Sequence, residues 1–251
     1  MKKGLKITLI TLGTVVGIGA AAFLTLGGLP LKIAAEKNFP ALNVTASEYP
    51  YAAETAPADF TVIERDGVSL KAPAGMHAKD DSDPDRPASR IFVSDTDETL
   101  SVFILEPYDF GELDLTDETY NLDNERLSEF STSIGRLPLT DWYSFYDLMY
   151  HMTADDCSTH SFRKAYSFYV LGYVKEEILP GYLEYWDWQT DDGAGFVYLK
   201  RTPETDIEPR RYQILAELFS NDDRNTAYDV IISASDLETC CQIANSIKLT
   251  G

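Results

Sequence analysis

The stretch from Arg210 to Leu249, "RRYQILAELFSNDDRNTAYDVIISASDLETCCQIANSIKL", places two β-rich runs directly before a helical pattern. The two runs are joined by "NDDRN", a cluster of turn-forming residues that is short enough to connect antiparallel neighbours. In the second run, apolar residues alternate with polar ones such as Asp229 and Ser233, which is the period of a strand with one buried face. The stretch therefore predicts an α+β fold that contains an antiparallel sheet.

The helical pattern at the end of this stretch contains two adjacent cysteines. Ser235 and Glu238 have the spacing of a capping box, which predicts that the helix begins there. Apolar residues then recur three and four positions apart: Leu237, Cys240, Cys241, Ala244 and Ile247. A buried free thiol packs as a small hydrophobic group, and the chain has no C-x-x-C spacing. We therefore predict buried thiols that bind no metal, while a disulfide from Cys157 to one of the pair stays open.

The preceding sequence extends the predicted sheet. Two strand-like runs at 181–189 and 194–201 complete a four-stranded meander with the pair above. Nearer the N-terminus, "DFTVIERDGVSLKAP" predicts a hairpin, because Asp66-Gly67 is a dipeptide that favours two-residue turns. The runs "RIFVSD" and "TLSVFILE" predict two more strands.

Two helices are predicted in the middle of the chain. Residues 140–152 show helical spacing, with Thr140 as the expected N-cap. A second helix is predicted over residues 158–178, and four aromatic residues form one stripe along it: Phe162, Tyr166, Tyr169 and Tyr173. We expect this aromatic stripe to pack the helix onto the sheet. The alternative is a surface that binds sugars or other rings.

The N-terminal sequence predicts an attachment to the cell membrane. Residues 7–31 carry no charge, and three lysines lie within the preceding residues 1–6. A run of about 20 apolar residues can cross a membrane, and its basic flank stays in the cytoplasm. We therefore expect a cytoplasmic tail, a transmembrane anchor and an extracytoplasmic remainder. A cleaved signal sequence is the alternative, because Ala20–Ala22 offers a small-residue cleavage site.

The composition changes after the predicted anchor. Residues 32–58 are rich in alanine and proline and show no helical period, which predicts a partly extended stalk. Residues 59–251 are long enough to bury a core, and we expect them to form one extracytoplasmic α+β domain.

The charge of the chain restricts its partners. The sequence contains 41 acidic and 21 basic residues, and its net charge is −20. Five of the basic residues and one acidic residue precede residue 38, so 40 acidic and 16 basic residues remain beyond it, a net charge of −24. Such a surface repels nucleic acids and accepts cationic partners.

An acidic loop carries the first candidate metal site. Asp81, Asp83 and Asp85 have the D-x-D-x-D spacing of a calcium loop. Arg86 stands where such a loop needs glycine, and Phe92 stands where it needs glutamate. We therefore expect weak calcium binding or none.

A second candidate cluster surrounds the turn between the central helices. His151, Cys157 and His160 could hold zinc if Asp155 or Asp156 supplied a fourth ligand. We do not favour this site, because no second pair of ligands has a matching spacing.

The predicted strand at 181–189 pairs acids with aromatics, as some sugar sites do. Glu184 and Asp187 flank Trp186 and Trp188. Strand alternation places the two acids on opposite faces, so they are not expected to act together. The chain also lacks the G-x-S-x-G elbow and the phosphate-binding glycine loop. We therefore nominate no catalytic, cofactor-binding or metal-binding residue, and we expect no cofactor.

The order of these elements resembles a known fold. The hairpin that ends in "VSLKAPAGM", the central helices, the meander and the closing "IANSIKL" resemble the PsbP/Mog1-like fold of exported bacterial proteins of unknown role. The resemblance implies an α+β domain and no catalytic residue. We expect a non-enzymatic binding or interaction module of the bacterial cell envelope, with the membrane and a protein or small ligand as partners. The alternative is an exported hydrolase or metal-dependent enzyme that uses acidic residues.

Overall fold

The computed structural model describes residues 27–79, 90–116, 123–179, 184–203 and 211–250. These residues form two compact units. The helical unit contains the described residues within 1–45, 114–139 and 148–181. The sheet unit contains those within 46–113, 140–147 and 182–251.

The sheet unit contains twelve strands among its described residues. They are β1 Ser47–Glu48, β2 Thr61–Arg65, β3 Val68–Ala72, β4 Met76–Ala78, β5 Ile91–Ser94, β6 Ser101–Ile104, β7 Tyr108–Asp109, β8 Glu184–Gln189, β9 Gly193–Thr202, β10 Arg211–Ser220, β11 Thr226–Ala234 and β12 Lys248–Leu249. Together with the helices, they confirm the predicted α+β class.

The larger sheet has the order β1-β8-β9-β10-β11-β6-β5-β4, and β7 also pairs with β11. Strands β8 to β11 follow one another as antiparallel neighbours, which confirms the predicted meander. The pairing of β1 with β8 is parallel. Strand β6 lies between β11 and β5.

The smaller sheet has the order β12-β3-β2 and contains the predicted hairpin. Asp66 and Gly67 form its turn with φ angles of 48° and 79°. Two successive positive φ angles match the twist of a tight hairpin, and glycine adopts them without a steric cost. The hairpin prediction is therefore confirmed.

Helix α5, Leu237–Ala244, packs against β10 and β11 and closes the core of the sheet unit. Cys240 and Cys241 lie in this core and are free thiols, which confirms their predicted burial. The capping box was misplaced by one residue. Asp236 is the N-cap, and its carboxylate accepts a hydrogen bond of 2.7 Å from the Thr239 amide.

Helix α3, Trp142–His151, begins in the sheet unit. Asp141, not the predicted Thr140, caps it by accepting a hydrogen bond of 2.8 Å from the Ser144 amide. The first turns of the helix lie on the larger sheet, because the ring of Tyr143 stacks on that of Phe196. At both helix starts the N-cap is an aspartate. Its short carboxylate accepts an amide hydrogen bond, and its negative charge interacts favourably with the positive end of the helix dipole.

The helical unit corrects the predicted stalk. Residues 32–58 were expected to be a partly extended stalk without a helix, but they contain most of α1, Leu29–Asn38, and a 3₁₀ turn, Pro40–Asn43. The side chains of Ala35, Ala41 and Leu42 are almost completely buried. The contacts of α1 use small residues, so its hydrophobic period is too weak to read from the sequence. The segment also supplies β1, so the structure does not begin a single domain at residue 59.

Two further helices complete the helical unit. They are α2, Asn124–Ser133, and α4, Phe162–Ile178, which packs against α1, α2 and the 3₁₀ turn.

The aromatic stripe is not the buried face of α4, contrary to our expectation. Phe162 is 50 % exposed and Tyr173 is 48 % exposed. The buried positions of the helix are Ala165, Ser167, Phe168, Val170, Leu171, Gly172 and Lys175. Gly172 and Ala165 allow neighbouring segments to approach this face closely, and the two terminal rings of the stripe stay at the surface.

None of the helices in the described residues combines the length and apolar character needed to cross a membrane. Residues 7–26 of the predicted anchor lie outside the described residues.

Candidate functional site

A groove of about 550 Å³ lies at the surface of the helical unit, where helices α2 and α4 begin. Its lining consists of Asp123, Arg126, Phe162, Arg163 and Tyr166. We call this site the arginine–aromatic groove.

Both helices expose the first turn of their backbone near this groove. Asp123 is the N-cap of α2 and accepts a hydrogen bond of 2.7 Å from the Arg126 amide. Ser161 is the N-cap of α4 and accepts one of 3.3 Å from the Lys164 amide. The groove residues therefore occupy the caps and early positions of two helices, where the helix dipole is positive.

Arg126 is held in place by its neighbours. Its Nε donates a hydrogen bond of 3.0 Å to the Ser167 hydroxyl, and its Nη2 donates one of 3.1 Å to the Arg163 carbonyl oxygen. The guanidinium carbon lies 5.5 Å from the centre of the Tyr166 ring, within the range of a cation–π contact. The side chain is thus fixed from three directions, which makes it a rigid part of the groove.

Two aromatic rings form another part of the lining. The centres of the Phe162 and Tyr166 rings lie 6.4 Å apart, and their planes meet at only 18°. Phe162 is half exposed. A half-exposed ring at a concave surface can contact another flat group.

Arg163 carries the exposed charge of the groove. Its side chain makes no hydrogen bond or ion pair with any residue in the described part of the chain. Lys164 follows it and is also exposed, and the first turn of α4 contains no acidic residue. Cations are unfavourable at the positive end of a helix, so this turn has a local positive potential in a chain of net charge −20.

The sheet unit contains a second notable cluster, on the face of the larger sheet that Tyr143 covers. Glu217 and Asp229 lie directly opposite each other on β10 and β11. Burial raises the pKa of Asp229 to about 6, and its Oδ1 atom is buried without a hydrogen-bond partner in the described residues. Burial, together with the negative charges of Glu217 and Asp229, also raises the pKa of the Tyr146 hydroxyl. These groups do not line the arginine–aromatic groove.

The residues considered for zinc are not brought together. The Cys157 thiol is buried and free, and burial raises its pKa to about 11. Asp155 lies 3.5 Å from the Lys32 ammonium, and Asp156 accepts a hydrogen bond of 2.7 Å from the Thr153 amide. Within the described ranges, no three acidic, histidine or cysteine side chains are arranged to bind a metal ion. The acidic loop with Asp81, Asp83 and Asp85 lies outside the described residues.

The strand that pairs acids with tryptophans is not an open site. Trp186 and Trp188 are only 6 % and 8 % exposed, and they belong to the core of the sheet unit. The Tyr49 and Tyr51 rings pack edge-on against Trp186. Glu184 lies at the surface, 3.4 Å from Arg201. The tryptophans therefore stabilise the core and leave no surface for a sugar.

No model of a protein family matches the sequence, and no curated protein is significantly similar to it.

From the sequence we singled out Phe162 and Tyr166, the two rings of the groove, but not its two arginines. A signal for them was present, because Arg126 and Arg163 each lie in the first turn of a helix. Helix starts usually favour acidic residues, so basic residues there are unexpected on structural grounds. Using that signal required exact helix boundaries, and the sequence placed the start of α4 four residues too early.

Proposed function

We propose that the protein is a non-enzymatic binding module of the cell membrane and that a small ligand with a flat ring binds in the arginine–aromatic groove. The observation that carries the proposal is the groove itself. Its volume lies within the usual range for small-molecule sites, roughly 300–1,000 Å³. Its lining combines open aromatic surface with a few polar groups that can orient a ligand.

The membrane part of the proposal comes from the sequence. Residues 7–26 are free of charge and follow three lysines. The Gly28 amide donates a hydrogen bond to the Thr159 carbonyl oxygen, so the helical unit already includes residue 28. The twenty residues before Gly27 are still enough for a membrane-spanning helix. The basic flank favours a cytoplasmic N-terminus, with both units on the other side.

Cell fractionation combined with added protease tests this location. The full-length chain should sediment with membranes and should be cut by protease that reaches only the outer side. A shorter, freely soluble product would show instead that the segment is a cleaved signal sequence.

Binding of a ring can be measured by titrating the full chain, held in lipid nanodiscs, with neutral indole. Empty nanodiscs give the background. We expect weak, saturable binding that Phe162→Ala reduces at least about fivefold, because stacking on one ring contributes about 1 kcal/mol. Tyr108→Ala is the matched control, since Tyr108 is an exposed ring outside the groove. If both variants bind indole like the wild type, the groove is not the site.

A hydrolase that uses acidic residues is the second candidate, and one observation favours it. The raised pKa of Asp229 beside Glu217 is the type of shift that catalytic acids show. Hydrolysis of nitrophenyl esters, phosphates and glycosides by the purified chain tests this candidate. Activity that disappears in Glu217→Gln would support it, and equal activity in both proteins would reject it.

A further inference from the structure

We infer that the ligand of the arginine–aromatic groove is an anion, in which a flat ring carries a carboxylate or phosphate group that binds Arg163. This inference rests on the proposed function and adds the charge of the ligand to it.

The charges that line the groove are unequal in number. Among the described residues, the lining contains two guanidinium groups and one carboxylate, that of Asp123. The Asp123 carboxylate already accepts the Arg126 amide hydrogen bond, so part of its capacity serves helix α2. The described lining therefore carries a net positive charge, although the chain as a whole is strongly negative.

Cations in the first turn of α4 carry an energetic cost. The first turn of α4 contains Arg163 and Lys164 and no acidic residue. A cation at this end of a helix is opposed by the helix dipole, and an anion is favoured there. A bound anion would relieve the repulsion between Arg163 and the positive end of its own helix.

The two arginines and the two rings line the same groove. Arg126 is fixed by Ser167 and by the Arg163 carbonyl oxygen, and it lies over the face of Tyr166. Arg163 and the half-exposed Phe162 are neighbours in the lining. A ligand ring that stacks on Phe162 therefore lies in the same groove as a guanidinium, and guanidinium matches carboxylate and phosphate in shape and charge.

The test compares probes of one shape and different charge on the full chain in nanodiscs. Indole is neutral, indole-3-carboxylate is an anion and tryptamine is a cation. We expect the carboxylate to bind at least about tenfold more tightly than indole, which corresponds to about 1.4 kcal/mol. Tryptamine should bind more weakly than indole. Equal affinity for all three probes would refute the inference and leave the proposed function intact, whereas no binding of any probe would contradict both.

Two variants separate contact with Arg163 from general electrostatics. Arg163→Gln should lower the affinity for indole-3-carboxylate to within about threefold of that for indole, since a charge-assisted hydrogen bond is lost. Lys164→Gln removes the same charge one residue away, outside the groove lining, and should keep most of the preference. Equal losses in both variants would show that only the overall potential matters, and the inference would be wrong.

The same assay distinguishes the two anionic groups. Benzoate and phenyl phosphate present one ring with either a carboxylate or a phosphate. Tighter binding of one of them, lost in Arg163→Gln, identifies the group that the ligand carries. If neither binds more tightly than phenol, the site does not recognise anions.

Discussion

The Lys175 ammonium group donates a hydrogen bond of 2.6 Å to the carbonyl oxygen of Val44, 131 residues earlier in the chain. It donates a second bond of 2.6 Å to the Met152 carbonyl oxygen. The lysine side chain is completely buried on helix α4. It thereby ties three segments of the helical unit together, and burial lowers its pKa to about 8.

This buried lysine makes a contribution to stability that should rise in alkali. Below pH 8 the lysine is charged in both the folded and unfolded protein, so the full cost of burying the charge is present. Between pH 8 and about 10.5 only the unfolded chain keeps the proton, so the lysine's contribution to the free energy of unfolding should increase with pH, by up to about 3 kcal/mol. The buried thiols have raised pKa values and lower stability in the same range, so urea unfolding at pH 7, 8.5 and 10 measures the lysine's contribution as the difference between the wild type and Lys175→Met.

Lys175→Met is the control for that experiment, because methionine fills a similar volume without a charge. Its unfolding free energy should lack the lysine-dependent rise above pH 8. At pH 7 the variant leaves two carbonyl oxygens without their hydrogen-bond donor, which lowers the free energy of unfolding by about 1–3 kcal/mol for each buried group. The variant also removes the cost of burying a charge, which acts in the opposite direction. A wild type and a variant with parallel pH profiles would contradict the assigned pKa shift.

Asp229 predicts a pH dependence of the opposite sign. Its folded-state pKa is raised, so its contribution to stability is fully present below its usual pKa of about 3.8 and is lost as the pH rises through about 6. Asp229→Asn should therefore be more stable than the wild type at pH 7, by at most about 3 kcal/mol, and this difference should shrink towards pH 4. Asp222→Asn, an exposed change in the turn after β10, should show no such trend.

At Gly172, helix α4 closely approaches Phe39, which ends helix α1, and the 3₁₀ turn that follows it. A Cβ atom at this position would lie 2.9 Å from Cδ2 of Phe39 and 3.4 Å from Cδ1 of Leu42. Alanine favours helices by about 1 kcal/mol over glycine, yet we expect Gly172→Ala to lose about 1–3 kcal/mol through overpacking. Thermal unfolding checks this loss. Glu177→Ala, an exposed change on the same helix, should stay within about 0.5 kcal/mol, and a stabilised Gly172→Ala would show that the contact is loose.

The three cysteines should resist thiol reagents in the native protein. All of them are buried, and burial raises their pKa values to about 11 for Cys157 and Cys241 and about 12 for Cys240. The reactive thiolate is therefore scarce at pH 8. We expect slow labelling before denaturation and three reactive thiols afterwards. Cys241→Ser should destabilise by about 1–3 kcal/mol if the new hydroxyl lacks a partner. Rapid native labelling, or zinc released by Cys240→Ser, would disprove this prediction.

The sheet was readable from the sequence because its signals are local. Alternation along "AYDVIISA" and the Asp66-Gly67 turn depend only on neighbouring residues. The burial of Cys240 and Cys241 could also be predicted from a local pattern. Their short helix has a single apolar stripe, so only one of its faces can be the buried one. The helix caps were less certain because Thr140 and Asp141, or Ser235 and Asp236, are adjacent residues that can all cap a helix.

The orientation of α4 could not be read in this way. The helix has apolar residues on more than one side, so the sequence offers both the aromatic stripe and the stripe of smaller residues as buried faces. The choice depends on the shape of α1, Phe39 and the 3₁₀ turn, which approach the helix closely at Gly172. The same packing leaves Phe162 half exposed and so creates the open side of the groove.

By itself, the sequence determined the α+β class, the meander, the hairpin and the buried thiols, because each depends on a period or a turn within a few residues. Only the tertiary structure decided that residues 29–43 fold with α4, and that Arg126 and Arg163 meet beside two aromatic rings. Those contacts join segments far apart in the chain. Their energy depends on complementary shape and charge, which no local pattern encodes.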